Sequence, residues 1–169
     1  MVKMSTGKRR RRNSHIRLYA RAVVWISFLI FFVLPTIGWA ASCETVAKNL
    51  NAQLNQQLDE QELAEILTVL NKTKNRRLPP KFVTKEEARK LGWRPGMDLW
   101  AIDALKGKSI GGDYFGNFDH RLPKGRWREA DLDYHGGKRG PKRIVFSTDG
   151  RRVVTIDHYQ TFVEVPPCQ

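Results

Sequence analysis

The last third of the chain holds one acid, one imidazole, two guanidinium groups and one phenol at separated positions: Glu129, His158, Arg139, Arg143 and Tyr159. Gathered around a phosphate, a carboxylate can take a proton, an imidazolium can give one, and fixed cations can hold the charge that builds up on phosphorus. A phosphodiester that carries its own nucleophile needs nothing more. A ribose 2′-oxygen attacking the neighbouring phosphorus is such a case: the base removes the 2′ proton, the acid protonates the departing 5′-oxygen, and neither a metal nor a cofactor is called for. Deoxyribose lacks that oxygen, so the chemistry selects RNA over DNA.

These residues can meet only if neighbouring strands present them on one face. Residues 127–134, Trp-Arg-Glu-Ala-Asp-Leu-Asp-Tyr, alternate with period two, which puts Glu129, Asp131 and Asp133 on one side and Ala130, Leu132 and Tyr134 on the other. In the run Arg143-Ile144-Val145-Phe146, the apolar Ile144 and Phe146 oppose Arg143. Asp149-Gly150 is a hairpin signal, the strand from Val153 to Ile156 follows it, and His158 lies just beyond. Taken singly, each of these charged residues reads as a solvated or weakly ion-paired surface group. The chemistry rests on the set.

Four motifs, Lys108-Ser-Ile-Gly-Gly-Asp113, Trp127-Arg-Glu-Ala-Asp131, Arg143-Ile144 and Asp157-His-Tyr-Gln-Thr-Phe162, together resemble the barnase-like, guanyl-preferring bacterial ribonucleases, over a stretch from about Leu78 to Val165. The resemblance implies the α+β microbial ribonuclease fold, with N-terminal helices packed on an antiparallel β-sheet. It also implies an endoribonuclease that cuts single-stranded RNA to a 2′,3′-cyclic phosphate and then hydrolyses it to a 3′-phosphate. On this likeness Glu129 is the general base, His158 the general acid, Arg139 and Arg143 the phosphate-binding arginines, and Lys85 the lysine of the catalytic site. Tyr159 is the tyrosine beside the histidine, and Asp113 a buried aspartate that orients the cations. The family's base-recognition loop corresponds to residues 115–119, so Phe115, Asn117 and Asp119, with Tyr159, are expected at the substrate. Gly116 replaces the family's small polar residue, Phe118 its arginine and Asp119 its glutamate, which leaves base preference open. A monomer is expected, and family analogy adds a small acidic, barstar-like inhibitor in the producing cell. The competing readings are a non-catalytic RNA or polyanion binder on the same fold and a metal-dependent nuclease.

Two motifs have plainer readings. Residues 108–113 lack the spacing of a nucleotide-phosphate loop, and their glycines are expected to form a tight turn that buries Asp113 against backbone donors and Lys85. Asp131 and Asp133 have no His or Cys at ligand spacing, so an exposed or ion-paired strand face is expected instead of a metal site.

The elements before the sheet divide at about residue 42. Residues 1–42 contain eight Lys or Arg and no Asp or Glu, followed by an apolar stretch from Ala22 to Leu34 and then by the small residues Ala40, Ala41 and Ser42. This is the pattern of a secretory signal peptide for the general export route, with an uncleaved tether as the alternative. Without it, 22 of the 30 basic residues remain against all 17 acidic ones, so the formal charge falls from +13 to about +5. That moderate excess suits a polyanionic partner. The only cysteines, Cys43 and Cys168, stand at the two ends of the remaining chain. In an oxidising compartment they are expected to bond to each other; a lipidated Cys43 is the rival reading.

Residues 43–77 form an N-terminal helical segment and residues 78–169 the catalytic region, the two making one domain. Val46, Leu50, Leu54 and Leu58, then Leu63, Ile66, Leu67 and Leu70, recur at helical steps. The later helix, starting near residue 60, matches the family's first helix, and the earlier one has no counterpart there. Thr84 and Glu87 form a capping box, with Ala88 and Leu91 expected inward and Gly92 as the stop. Lys85 then falls in the first turn, where the orphan N–H groups add to its positive potential. A short helix is expected around Leu99 to Leu105, and Trp93, Trp127, Phe146 and Phe162 are expected in the core.

Overall fold

Two capped helices cover one face of the sheet. The computed structural model describes residues 40–169, so all but the last three residues of the expected signal peptide lie outside the described part. Helix α1, Cys43–Asn51, is capped by Ser42, whose side chain accepts from the Thr45 N–H. Helix α2, Glu60–Lys72, is capped in the same way by Asp59, which accepts from the Glu62 N–H. Leu54 and Leu58 fall in the link between the helices, at residues 52–59, and not on a helix. The Asn51 side chain fixes that link by donating to the Leu58 carbonyl at 2.9 Å and accepting from its N–H at 2.8 Å. The buried faces, Val46 and Leu50 of α1 with Leu63, Ile66, Leu67 and Leu70 of α2, pack on Ala130, Ile144, Phe146 and Val154 of the sheet. Each large apolar side chain so buried is worth about 1.5 to 3 kcal/mol.

Cys43 and Cys168 form a disulfide with their Cα atoms 4.9 Å apart, which ties α1 to the end of the chain and occupies the sulfur a lipid would need. Asn71 of α2 donates to the Cys168 carbonyl at 2.7 Å.

Six strands follow the order β1-β2-β3-β4-β5-β6: Phe82–Val83, Ser109–Phe115, Trp127–Asp131, Arg143–Ser147, Arg152–Thr155 and Val163–Glu164. β1 pairs parallel to β2 and every later pair is antiparallel. This is the expected α+β architecture, with one short parallel edge added. Helix α3, Lys85–Lys90, opens on the expected capping box. It closes with Gly92 N–H on the Arg89 carbonyl and Trp93 N–H on the Ala88 carbonyl, both at 3.0 Å, a Schellman ending with Gly92 at φ 101. Leu91 points outward, 49% exposed, and Trp93, 1% exposed, takes the inward place beside Ala88, Leu99 and Ile110. The chain reverses at the C-cap, so the helical period no longer holds one residue beyond it. Two 3-10 turns, Leu99–Ala101 and Asp103–Leu105, stand where one short helix was expected. Trp127 and Phe146 are buried as expected, while Phe162 is only partly so.

The tight turn expected at Gly111-Gly112 is absent. Those residues continue β2 through a bulge where the pairing slips between Gly111 and Asp113. A Cβ on Gly111 would come within 2.9 Å of Phe82, Ala130 and Leu78, and Gly112 sits at φ +94. The glycines therefore serve close packing and a re-aimed strand. The bulge sets Asp113 directly across from Glu129.

Candidate active site

Residues paired across antiparallel strands point to the same face. On the face away from α1 and α2, Glu129 of β3 lies between Asp113 of β2 and Val145 of β4, while Asp131 pairs with Arg143, and Arg143 with Thr155 of β5. One face thus collects two carboxylates of β3, a guanidinium and the hydroxyl that steers the loop after β5.

Glu129 is 7% exposed, and both its oxygens are held. Lys85 Nζ donates to Oε1 at 2.7 Å and the Tyr159 hydroxyl to Oε2. Burial pushes this carboxyl up, but the hydrogen bonds from Lys85 and Tyr159 and the charges of Lys85 and Arg143 more than reverse the effect, so its pKa lies below the usual value. Burial first, and then the Glu129 charge, push the Tyr159 phenol far up, so it stays a donor. Lys85 is positioned through its backbone: its N–H donates to Asp113 Oδ2 at 2.9 Å, which satisfies an orphan group of the first turn of α3.

The guanidinium groups are oriented by a residue not assigned to the site from sequence. Arg139 grips Asp131 through Nε to Oδ2 at 2.6 Å and Nη2 to Oδ1 at 2.7 Å, and Arg143 Nε lies 2.9 Å from the same Oδ1. Arg143 also donates Nη1 to the carbonyls of Gly140 and Lys142. Asp131 is therefore ion-paired, as one of its two readings had it, but buried at 2% exposure and not on an open face. Asp113 meets a backbone donor, that of Lys85, as expected, but it is only half-buried and forms no ion pair with the lysine's side chain. The one legible signal for Asp131 was its position two residues after Glu129, on the same face.

His158 and Tyr159 both adopt left-handed backbone, φ 57 and 71, which is uncommon outside glycine. Asp157 and Thr155 hold them there. Asp157 accepts from Thr155 Oγ1 at 2.8 Å and from the Thr161 N–H at 2.9 Å, and Thr155 Oγ1 accepts from the Tyr159 N–H at 3.0 Å. Those donors outweigh the cost of burial and hold the Asp157 pKa at about 2. The sharp bend turns the exposed His158 ring toward one hollow and the Tyr159 ring toward the next, with the ring centroids 4.8 Å apart.

The first hollow, of about 450 Å³, is lined by Arg139, Arg143, His158, Lys138 and Trp93. The second, of about 370 Å³, is lined by Glu129, Tyr159, Phe115, Asn117, Phe118 and Asp119. The structure therefore brings together every assigned residue except Lys85 and Asp113, which line neither hollow and support Glu129 from behind. Phe115 packs on Tyr159 at 5.1 Å between centroids. Asn117 uses its side chain inside the loop, donating to the Leu122 carbonyl at 2.7 Å and accepting from its N–H at 3.0 Å, so it staples the loop. Phe118 is 88% exposed, and its ring lies where a Cβ on Gly116 would be, so only glycine leaves room for it.

A ribonuclease family model matches residues 68–166, which leaves α1 outside the match. The chain is 45% identical over 93 residues to a ribonuclease of Heyndrickxia coagulans, covering 53% of this chain and 84% of that one. It is also 45% identical over 93 residues to the ribonucleases of Bacillus intermedius and Bacillus pumilus, spanning a little over half, 57%, of each. The matched stretch contains the whole sheet and every residue of the two hollows, so the chain belongs to the ribonuclease family, in the barnase-like form its motifs resembled.

Proposed function

We propose that this ribonuclease cuts single-stranded RNA on the 3′ side of guanosine by metal-independent transesterification, and that it is exported as a monomer. The observation that carries the chemistry is the junction of the two hollows, where Tyr159 touches Glu129 and adjoins His158, with Arg139 and Arg143 beyond. A nucleoside whose base enters the hollow beside Glu129 presents its 2′-hydroxyl to that carboxylate, and the 3′-phosphate lies toward the guanidinium groups. Glu129 takes the 2′ proton as the 2′-oxygen bonds to phosphorus, and His158 protonates the 5′-oxygen as its bond to phosphorus breaks. The products are a 2′,3′-cyclic phosphate and a free 5′-hydroxyl. In the second stage His158 takes a proton from water, which opens the ring to a 3′-phosphate while Glu129 returns its proton to the 2′-oxygen. Glu129 can serve although both oxygens are engaged, because each carboxylate oxygen keeps a second lone pair.

Asp119, exposed at the rim of the base hollow, supports guanine, whose N1–H and N2–H form a donor pair for one carboxylate. Export is supported by the basic and then apolar start of the sequence and by the disulfide. The cationic hollow suits a small acidic inhibitor in the producing cell.

Incubation of the native protein and of Glu129→Ala and His158→Ala with RNA in EDTA tests the reading. The native protein should yield cyclic-phosphate ends after guanosine, and each variant should lose about 10²- to 10⁴-fold in turnover. RNA retained without cleavage would favour a binder on the same fold, loss of activity in EDTA a metal-dependent nuclease, and full activity in His158→Ala would remove the acid.

A further inference from the structure

A third hollow, of about 410 Å³, adjoins the base hollow, and cleavage as derived above leaves it without a role. It lies between the 121–127 segment, the turn after β4 and the C-terminal strand, and it shares Arg121 and Phe162 with the base hollow, so the two are continuous. Its lining is cationic and aromatic. Arg121, Arg151 and Arg152 stand against one carboxylate, Glu164, and the partly exposed ring of Phe162 lines the same hollow, while Trp127 is 1% exposed. The Arg151 guanidinium lies 4.8 Å from the Trp127 ring centroid and is paired with Asp149. Arg121 and Arg152 form no ion pair with a carboxylate among the described residues. Arg121 is exposed and held by the Gln160 carbonyl, and Arg152 Nε donates to Asn75 Oδ1 at 2.8 Å.

The order of the hollows gives this one a direction. His158, which protonates the departing 5′-oxygen, marks the side of the leaving nucleoside, and Glu129 marks the ribose whose base is held. Continuing from His158 past Glu129 therefore runs toward the 5′ end of the RNA. We infer that the third hollow is a subsite for the nucleotide immediately 5′ of the recognised one, with Arg121, at the boundary, holding the phosphate between them. The upstream base then enters against Phe162. A basic groove interleaved with aromatic rings is the usual platform for single-stranded RNA. This rests on the acid and base assignments, because they set the polarity.

The test compares kcat/KM for the dinucleoside monophosphate GpC and for the same substrate extended by a 5′ deoxyuridylate, which lacks the 2′-hydroxyl and leaves one cleavable bond. The extension should raise kcat/KM about tenfold in the native enzyme, as expected for one stacked base with its phosphate. The gain should shrink as salt is raised. In Arg121→Ala it should collapse toward unity, and in Arg121→Glu invert. Arg151→Ala, which alters the third hollow but does not line the base hollow, should also reduce the gain, since it removes one of the cations lining the third hollow. A native ratio near one, or a ratio unchanged in all three variants, overturns the subsite and leaves the catalytic reading intact. Failure to cleave either substrate would remove that reading and the subsite with it.

Discussion

A carboxylate that must strip a proton from a hydroxyl has to stay charged in a place that disfavours charge. At Glu129 burial is the largest influence and pushes the pKa up, and Lys85 and Tyr159 bring it below the ordinary value. The acid limb of kcat/KM should therefore lie below the usual carboxylate range. Lys85→Ala removes the main counterweight, so its acid limb should move to higher pH. An unmoved acid limb would show that Lys85 does not tune the base. The same sign applies to folding: a depressed carboxyl adds stability above its unfolded pKa and loses it as pH falls through the folded one. Glu129 and Arg143 were legible because strand alternation fixes which face each takes, whereas Arg139 and His158 lie in loops and were placed by the family resemblance alone. Tyr159 as a donor to Glu129 was not legible, because that contact depends on two successive left-handed residues that no local propensity announces.

At the scale of the strand, β3 acts as a double mount, with the reacting carboxylate at Glu129 and the anchor for two guanidinium groups at Asp131. The Asp131 side chain is 3% exposed and that of Arg143 5%, so removing one partner leaves charge buried without compensation. Asp131→Asn should cost about 3 to 5 kcal/mol in urea denaturation and also weaken substrate binding. Asp133→Asn is a fair contrast: its ion pair with Lys142 is more open, and its backbone, at φ 56, suits asparagine. Its cost should stay near 1 kcal/mol. An unchanged midpoint for Asp131→Asn would refute the anchoring role. The capping box at Thr84 and Glu87 was readable because both partners lie within one turn. The need for glycine at 111 was not, because it is set by the side chains of Leu78, Phe82 and Ala130, brought there from elsewhere in the chain.

For the molecule as a whole, the disulfide spans 125 residues, nearly the full described chain. In the chain-entropy model, closing so long a loop contributes about 4 to 5 kcal/mol, commonly less when measured. Denaturation midpoints with and without reductant, and in Cys43→Ser/Cys168→Ser, should fall together by a comparable amount, while RNA cleavage by the folded fraction persists. Equal midpoints in both conditions would mean that the bridge only decorates a fold already secured by α1 and α2. The pairing was legible because the two cysteines had no other partners. The packing of α1 was legible too, since Val46 and Leu50 recur at a helical step and Cys43 ties the helix to the end of the chain.

The bridge also brings the two ends of the described chain side by side. The Gln169 N–H donates to the Ala41 carbonyl at 3.0 Å, and its side-chain amide donates to the Ala40 carbonyl at 3.2 Å. Where a polypeptide begins is then a matter of convention. A circular permutant opened in the exposed link at Asn55-Gln56, with α1 rejoined after Gln169 by a peptide linker, would keep every contact of the native topology and be indifferent to thiols.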